Sequence, residues 1–468
     1  MSNSFDFLDS ASRRESHRAL RVVAPQLRML STRHKVPAMV RSLCETKHLA
    51  EGTTIGNSQL PESYIPDVIE EAYADLNVLD LINIKLDPSA STSVGIPYEK
   101  RNQATIPRDG IVFEGEGIPL ANISQEMDTA YVFKRAISLS ITDEVFQFGK
   151  PSNLLNWDAY ARNVKSNSRM ISELTARHIA NELQRSSDCY SAAQVLNESV
   201  AVQLTGTGSL IKTAYFPIVR PFQVIDIRGN AVYPAECPIS MILDGVTLSQ
   251  YNGTGSQTAG TYWKVENYNL GLIRLVDQTG AIVTPTATTA ILNYWRATNC
   301  SYFDLKLAAG VDIADHLNGA LRQIGAQKAA MNADRFILPD FCLMSPILND
   351  MITNASQFVA SQKRQGDSLT LTGDLETIKA LPAYSTNIGC DLGDERILMG
   401  ERGALTHVLV DPLRISDLFN AVASDGRTPI GTKLGYCWTY AAIHVPTALR
   451  NCMTSVIVYD SDARAAAA

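Results

Sequence analysis

From Val94 the apolar positions alternate through Ile96 and Tyr98, reach the polar run Lys100, Arg101, Asn102 and Gln103, and resume at Ile106. Period-two alternation interrupted by a polar tip predicts a two-stranded ribbon. Its return limb is expected in Gly110–Pro119, continued by Ala121–Ser124. A cleaner strand follows, with Tyr131, Phe133, Ile137, Leu139 and Ile141 on one face and Lys134 and Ser138 on the other. Pro151 ends that pattern; Asn153 or Asn156 suits a helix cap, and Asp158 suits the positive end of the helix dipole. Trp157, Tyr160, Val164, Ile171, Leu174, Ile179 and Leu183 then recur at helical spacing. The predicted helix of roughly thirty residues would be about 45 Å long. One apolar stripe on such a rod must lie along a sheet or a partner. A ribbon that reaches far without building a core needs a neighbour.

Before this segment, Gly52, Gly56, Pro61 and Pro66 mark turns, followed by a predicted helix from Asp67 to Leu76 and a strand over Leu79–Leu86. After it, residues 191–300 are rich in Thr, Gly, Tyr and Val, with short strands such as Tyr262–Val265 and Ala290–Trp295 between turn clusters. That composition predicts an all-β module. Helical spacing returns at Leu307, Val311, Ala314, Leu317, Leu321 and Ile324, and a buried strand is expected at Arg335–Pro339. Ser345–Pro346 reads as a helix start, with Ile347, Leu348 and Met351 turned inward. Lys363–Asp367 is a polar loop. Further strands are expected at Ile378–Tyr384, Arg396–Gly400, Thr406–Val410 and Thr454–Tyr459; Asp462–Ala468 has nothing to bury and is expected to fray. The fold class is α+β.

The chain of 468 residues is long enough for two to four domains, and its 45% hydrophobic and 19% charged content is that of a globular protein. Met1–Asp6 carries no signal-peptide pattern and no apolar run reaches membrane-spanning length, so a soluble product made in the cytoplasm is expected. The eight cysteines form no CxxC pair and are expected to be reduced. Charge is uneven. Residues 1–50 hold nine Lys/Arg, among them Arg13, Arg14, Arg18, Arg21 and Arg28, against four acids. That local +5 within a net −7 leaves −12 for the remainder. A basic arm on an acidic body suits a polyanion on an inner face or an acidic neighbour. Leu20, Val23, Leu27 and Leu30 equally fit a solvated amphipathic helix.

Catalytic patterns are missing. Gly426-Arg-Thr-Pro-Ile-Gly431-Thr432-Lys433 exchanges the Lys and Thr that a phosphate-cradling loop requires. Asp143 and Glu144 are neighbours on a strand and face opposite ways. No GxSxG, HExxH or third glycine after Gly206-Thr-Gly208 is present. No enzyme activity, metal or cofactor is expected.

The ribbon, the segment Glu114-Gly-Glu-Gly-Ile-Pro-Leu-Ala-Asn-Ile-Ser124, a strand ending Ser140-Ile-Thr-Asp-Glu144 and a long helix together resemble the major capsid proteins of tailed phages with the Hong Kong 97-type fold. The order of elements continues to the C-terminus, so the resemblance covers roughly 60–190 and 301–460. It implies a peripheral domain at 61–91 and 131–190 with its spine helix, and an E-loop at 92–130; the basic arm at 1–60 lies outside it. An axial domain would span 301–430, with return strands and tail at 431–468. Residues 191–300 lie outside the resemblance and read as an inserted all-β domain. Lys100, Arg101, Arg108, Glu114 and Glu116 are the expected intersubunit contacts of the E-loop. Some relatives weld an E-loop lysine to a neighbour's asparagine, and Lys100 is the sole lysine between Leu86 and Phe133; ion pairs are the expected role instead. The implied function is a shell of hexamers and pentamers around double-stranded DNA in a virion, assembled in the host cytoplasm with scaffolding and portal proteins. Decoration proteins are possible further partners, and no membrane is involved. An encapsulin-like nanocompartment, distinguished by its contents, and a monomeric hydrolase, distinguished by light scattering, are the alternatives.

Overall fold

The structure is a computed structural model describing residues 74, 76–89, 92–101, 111–118, 123–143, 159–205, 208–253, 257–284, 289–357, 377–422 and 429–466. These residues fall in one compact unit, 69–151 with 157–468. The arm arginines Arg13, Arg14, Arg18, Arg21 and Arg28, the ribbon tip with Arg108, most of the helix expected from Asp67 and the loop Lys363–Asp367 lie outside the described residues.

The chain runs through β1 (Asn83–Leu86), β2 (Ser93–Arg101), β3 (Ile123–Tyr131), β4 (Phe133–Thr142) and α1 (Ala159–Cys189). Strands β5 (Ala193–Thr205), β6 (Gly208–Lys212), β7 (Ser240–Leu243), β8 (Val246–Leu248), β9 (Tyr262–Asn267), β10 (Leu272–Val276) and β11 (Thr289–Arg296) follow without a helix. Next come β12 (Cys300–Asp304), α2 (Ile313–His316), α3 (Asn318–Arg335), β13 (Phe341–Met344) and α4 (Pro346–Thr353). The last elements are β14 (Thr377–Ile378), β15 (Leu381–Ser385), β16 (Arg396–Gly400), β17 (Thr406–Ile415), β18 (Phe419–Val422), β19 (Pro429–His444), β20 (Met453–Tyr459) and α5 (Ser461–Ala466).

A six-stranded sheet, ordered β12-β20-β16-β13-β15-β14, forms the deepest core. Its central strands are apolar on both faces, as a sheet covered on both sides must be. Cys342, Met344, Ile397, Met399, Val456 and Val458 face α3 and α4. Their alternates Phe341, Leu343, Leu398 and Met453 pack with Ala176, Ile179, Ala180 and Leu183 of α1. Helix α4 starts as the sequence predicts: Ser345 Oγ accepts from the Leu348 N–H at 3.2 Å, with Pro346 next.

The N-terminal half of α1 lies on a second sheet, in which β19 pairs with β17, β18 and β4, and β1 joins β17. Leu139, Ile141, Ile171 and Cys437 close that contact. The seven strands β5–β11 build a third sheet around Val200, Val202, Ile211, Met241, Trp263, Ile273, Leu292 and Tyr294. The chain leaving β8 bridges to β9 at the other end of this sheet, through Trp263 N–H to Ser249 O and Tyr251 N–H to Trp263 O.

Several expectations need correction. Among the described residues the return limb of the ribbon is Ile123–Tyr131, which takes in the expected Ile123 and Ser124; residues 111–118, expected in that limb, form a turn and irregular backbone instead. Residues 335–339 are no strand. Arg335 ends α3, Phe336 turns left-handed at φ 58° and is 89% exposed, and the strand begins at Phe341. Leu307 and Val311 precede the helices and are exposed, as are Leu174 on α1 and Ile347 on α4. The C-terminal segment does not fray before Ala466. Helix α5 docks through Arg464, whose guanidinium donates to Leu270 O at 3.0 Å and Thr213 O at 2.6 Å and lies over Phe216.

Candidate assembly surface

Strands β2 and β3 pair in an unbroken antiparallel register from Ser93↔Tyr131 to Arg101↔Ile123 and, among the described residues, pair with no other strand. A lone two-stranded ribbon is marginal in water. Its base is anchored: Ala130 and Val132 are buried against Val408 and Ala442, with Val94, Ile96, Val410 and Tyr440 around them. Asp128 accepts the Thr447 N–H at 2.6 Å and lies 3.5 Å from His444 Nε2. Burial opposes ionisation there, yet the Thr447 N–H and His444 hold the Asp128 carboxyl below its usual range.

Beyond Asp128 the anchoring stops. Strand β3 is exposed from Ile123 to Met127, and Met127 is 67% exposed. Tyr98 donates to Glu126 at 2.6 Å, a surface bond that pushes the phenol up to about 12. The connecting segment shows Ile111, Val112, Phe113 and Ile118 to solvent, Phe113 at 59% and Ile118 at 85%. Two of the sequence-picked residues, Glu114 and Glu116, sit in this apolar turn. The Glu116 N–H donates to Phe113 O at 3.0 Å, and the Phe113 N–H donates back to Glu116 Oε2 at 3.3 Å, fixing the bend. Lys100 and Arg101 end β2 opposite Ser124 and Ile123. Large apolar side chains held in solvent by a ribbon with no core suit an interface between chains.

The ribbon is mounted on a stiff support whose polar anchors sequence reasoning missed. From Glu182 to Asp188 α1 is buried on every side. Arg396, fully buried, donates to Asp188 Oδ1 at 2.5 Å and to Asn269 Oδ1 at 2.8 Å. Arg185 pairs with Glu182 at 2.5 Å and with Glu236 at 3.3 Å, and Glu236 also takes Arg450 at 2.5 Å. Burial works against the Glu236 charge, but Arg450 and Arg185 keep its carboxyl below the usual range. These pairs tie the helix to the β5–β11 sheet and the six-stranded sheet at once.

Between α1 and the β19 sheet an apolar cavity of about 220 Å³ holds two polar intruders, Arg135 and His407. Arg135 donates to His178 Nδ1. Burial drives both His178 and His407 down to about 4.

Among the described residues no group of three or more His, Cys, Asp or Glu could hold a metal, and no helix is long and apolar enough to cross a membrane. Thr432 and Lys433 lie within β19, bonded to β4, so they do not form a phosphate loop. Asp143 pairs with Lys433 at 3.8 Å, and Glu144 lies outside the described residues. The seven described cysteines are free.

No protein family matches the sequence, and no curated protein matches it. Among solved structures the chain is similar to one from the capsid structure of the cyanophage P-SCSP1u, at 9% identity and a TM-score of 0.47, over 88% of this chain and 96% of that one. It is also similar to a chain of the bacteriophage PhiM1 mature capsid, at 7% identity and a TM-score of 0.46, over 87% and 99% respectively. A chain from Mycobacterium phage Che8 gives 10% identity and a TM-score of 0.44, over 86% and 97%.

Proposed function

We propose that this chain is the major capsid protein of a tailed double-stranded DNA phage, and that its activity is assembly. One observation carries the reading: the ribbon is anchored at its base while its outer half, including the turn at 111–118, keeps large apolar residues in water. Such a segment gains by lying across a second copy of the chain, burying apolar area at roughly 25 cal/mol per Å². A contact between one projecting surface and a different receiving surface is heterologous, and heterologous contacts close into rings when the rotation permits. Hexamers and pentamers closing an icosahedral shell are the assemblies this geometry serves. The basic arm, with Arg13, Arg14, Arg18, Arg21 and Arg28, would face packaged DNA or clasp a neighbour. Lys100, Arg101 and Arg108 would add ion pairs along the ribbon. Scaffolding and portal proteins would act during assembly in the host cytoplasm, and decoration proteins could add to the finished shell.

Negative-stain microscopy of the chain expressed alone tests the reading. Closed particles are expected from the intact chain, and a soluble, folded chain without stable particles from a deletion of residues 100–110. Normal particle yield from the deletion, or a compact monomer at high concentration from the intact chain, would overturn it.

A further inference from the structure

Arg135 sits on β4 among residues that face α1, and its guanidinium is largely buried. Among the described residues no carboxylate pairs with it: its one polar partner is the neutral ring of His178, and Nη1 has no partner. A buried cation without a counter-charge costs several kcal/mol. Beside it His407 is 5% exposed, and neither ring nitrogen has a partner. Burial first, then Arg135 and His178, keeps that ring neutral, so it retains one N–H to donate. Both groups line the 220 Å³ cavity whose other walls include Phe133, Ile171, Leu409 and Ile443. A dry cavity of about 150 Å³ already accommodates a benzene-sized guest. The chemistry the cavity lacks is therefore an aromatic or aliphatic group joined to a carboxylate.

The same chain displays that combination. Phe113 is exposed, Glu114 follows it in the turn, and Glu116 braces the bend. We propose that the cavity between α1 and the β19 sheet is a seat for the ribbon turn of a second copy. Phe113 enters among the apolar walls, and the Glu114 carboxylate accepts from Arg135 Nη1 and from His407. The match is one of charge as well as shape: an unpaired buried cation receives an exposed anion. This seat rests on the reading that the ribbon crosses to a neighbour, and it names where the ribbon ends.

The test uses a capped peptide of residues 111–118 and the full chain. Added in excess to unassembled protein, the peptide is expected to raise the thermal midpoint by several degrees. Phe113→Ala or Glu114→Gln in the peptide should abolish the shift, as should Arg135→Met in the protein. Arg135→Met alone should leave the unassembled chain at least as stable, because it removes an unpaired charge; its midpoint without peptide verifies folding. Within particles, Glu114→Gln and Arg135→Met should each speed dissociation at least tenfold, and the double variant should be no faster than either single one. Additive effects in particles that otherwise form normally would overturn the seat and leave the ribbon's role intact. Peptide binding by a chain that never forms particles would keep the seat and overturn the shell. Absence of a peptide shift, an equal shift with Arg135→Met, or a shift given by hexanoate and not by the peptide would each overturn the proposal.

Discussion

Strands β16 and β3 belong to the same compact unit and live in different solvents. All five residues of Arg396–Gly400 are buried, whereas in Ile123–Tyr131 only Ala130 is. The first strand has α1 on one face, α3 and α4 on the other and a hydrogen-bonded neighbour at each edge. The second has one neighbour among the described strands and is exposed from Ile123 to Met127. Stability of the chain therefore resides in the sheets around α1, while the proposed assembly would draw on what those sheets leave outside. Substitutions should separate the two.

The largest effect is expected in the interior. Asp188→Leu strands the Arg396 guanidinium without its charge partner and should cost the unassembled chain roughly 3–5 kcal/mol, read from a urea midpoint. Acid should act on the interior next. His178 and His407 are held at about 4 against an ordinary value near 6.5, so the folded state binds fewer protons than the unfolded one. Their contribution is complete above pH 6.5 and is lost as pH falls toward 4, roughly 1–3 kcal/mol for each ring. His407→Leu should flatten that slope in a pH series of unfolding midpoints, and an unchanged slope would count against the assignment. Arg464→Ala should cost about 1–3 kcal/mol and expose the C-terminal helix to proteolysis, by removing its bonds to the Thr213 and Leu270 carbonyls. The smallest subunit effect belongs to the ribbon. Met127→Ser should leave the midpoint within about 0.5 kcal/mol and still lower particle yield. A large loss of subunit stability there would erase the contrast between the two strands.

What the sequence revealed follows the same division. Elements whose burial is dictated by their own periodicity were legible. Helix α1 spans 31 residues where about thirty were expected, β16 matches Arg396–Gly400, and Ser345–Pro346 opens α4. Errors arose where an apolar pattern meets solvent or a distant partner. The apolar run Ile111–Phe113 reads like a buried strand, yet among the described residues no strand pairs with it. Phe336 and Leu338 look like core and are exposed because the left-handed turn after α3 swings them out. The buried pairs were invisible, since Asp188 and Arg396 are 208 residues apart and sequence carries no distance information across such a gap. For the candidate site, the ribbon could be picked out from alternation, and its two glutamates only through the family resemblance. The receiving cavity could not, because β4, α1, β17 and β19 must first converge.

A mechanical consequence follows from how the ribbon is joined to the body. Only Val132 separates β3 from β4, and β4 is laced to β19 by a ten-pair ladder from Phe133↔Ala441 to Thr142↔Thr432. Ladder hydrogen bonds run across the strands, so tension drawn along the ribbon loads them together, in shear, rather than peeling them one after another. Within the proposed shell, a pull on the ribbon by a neighbour would thus be shared across the whole ladder.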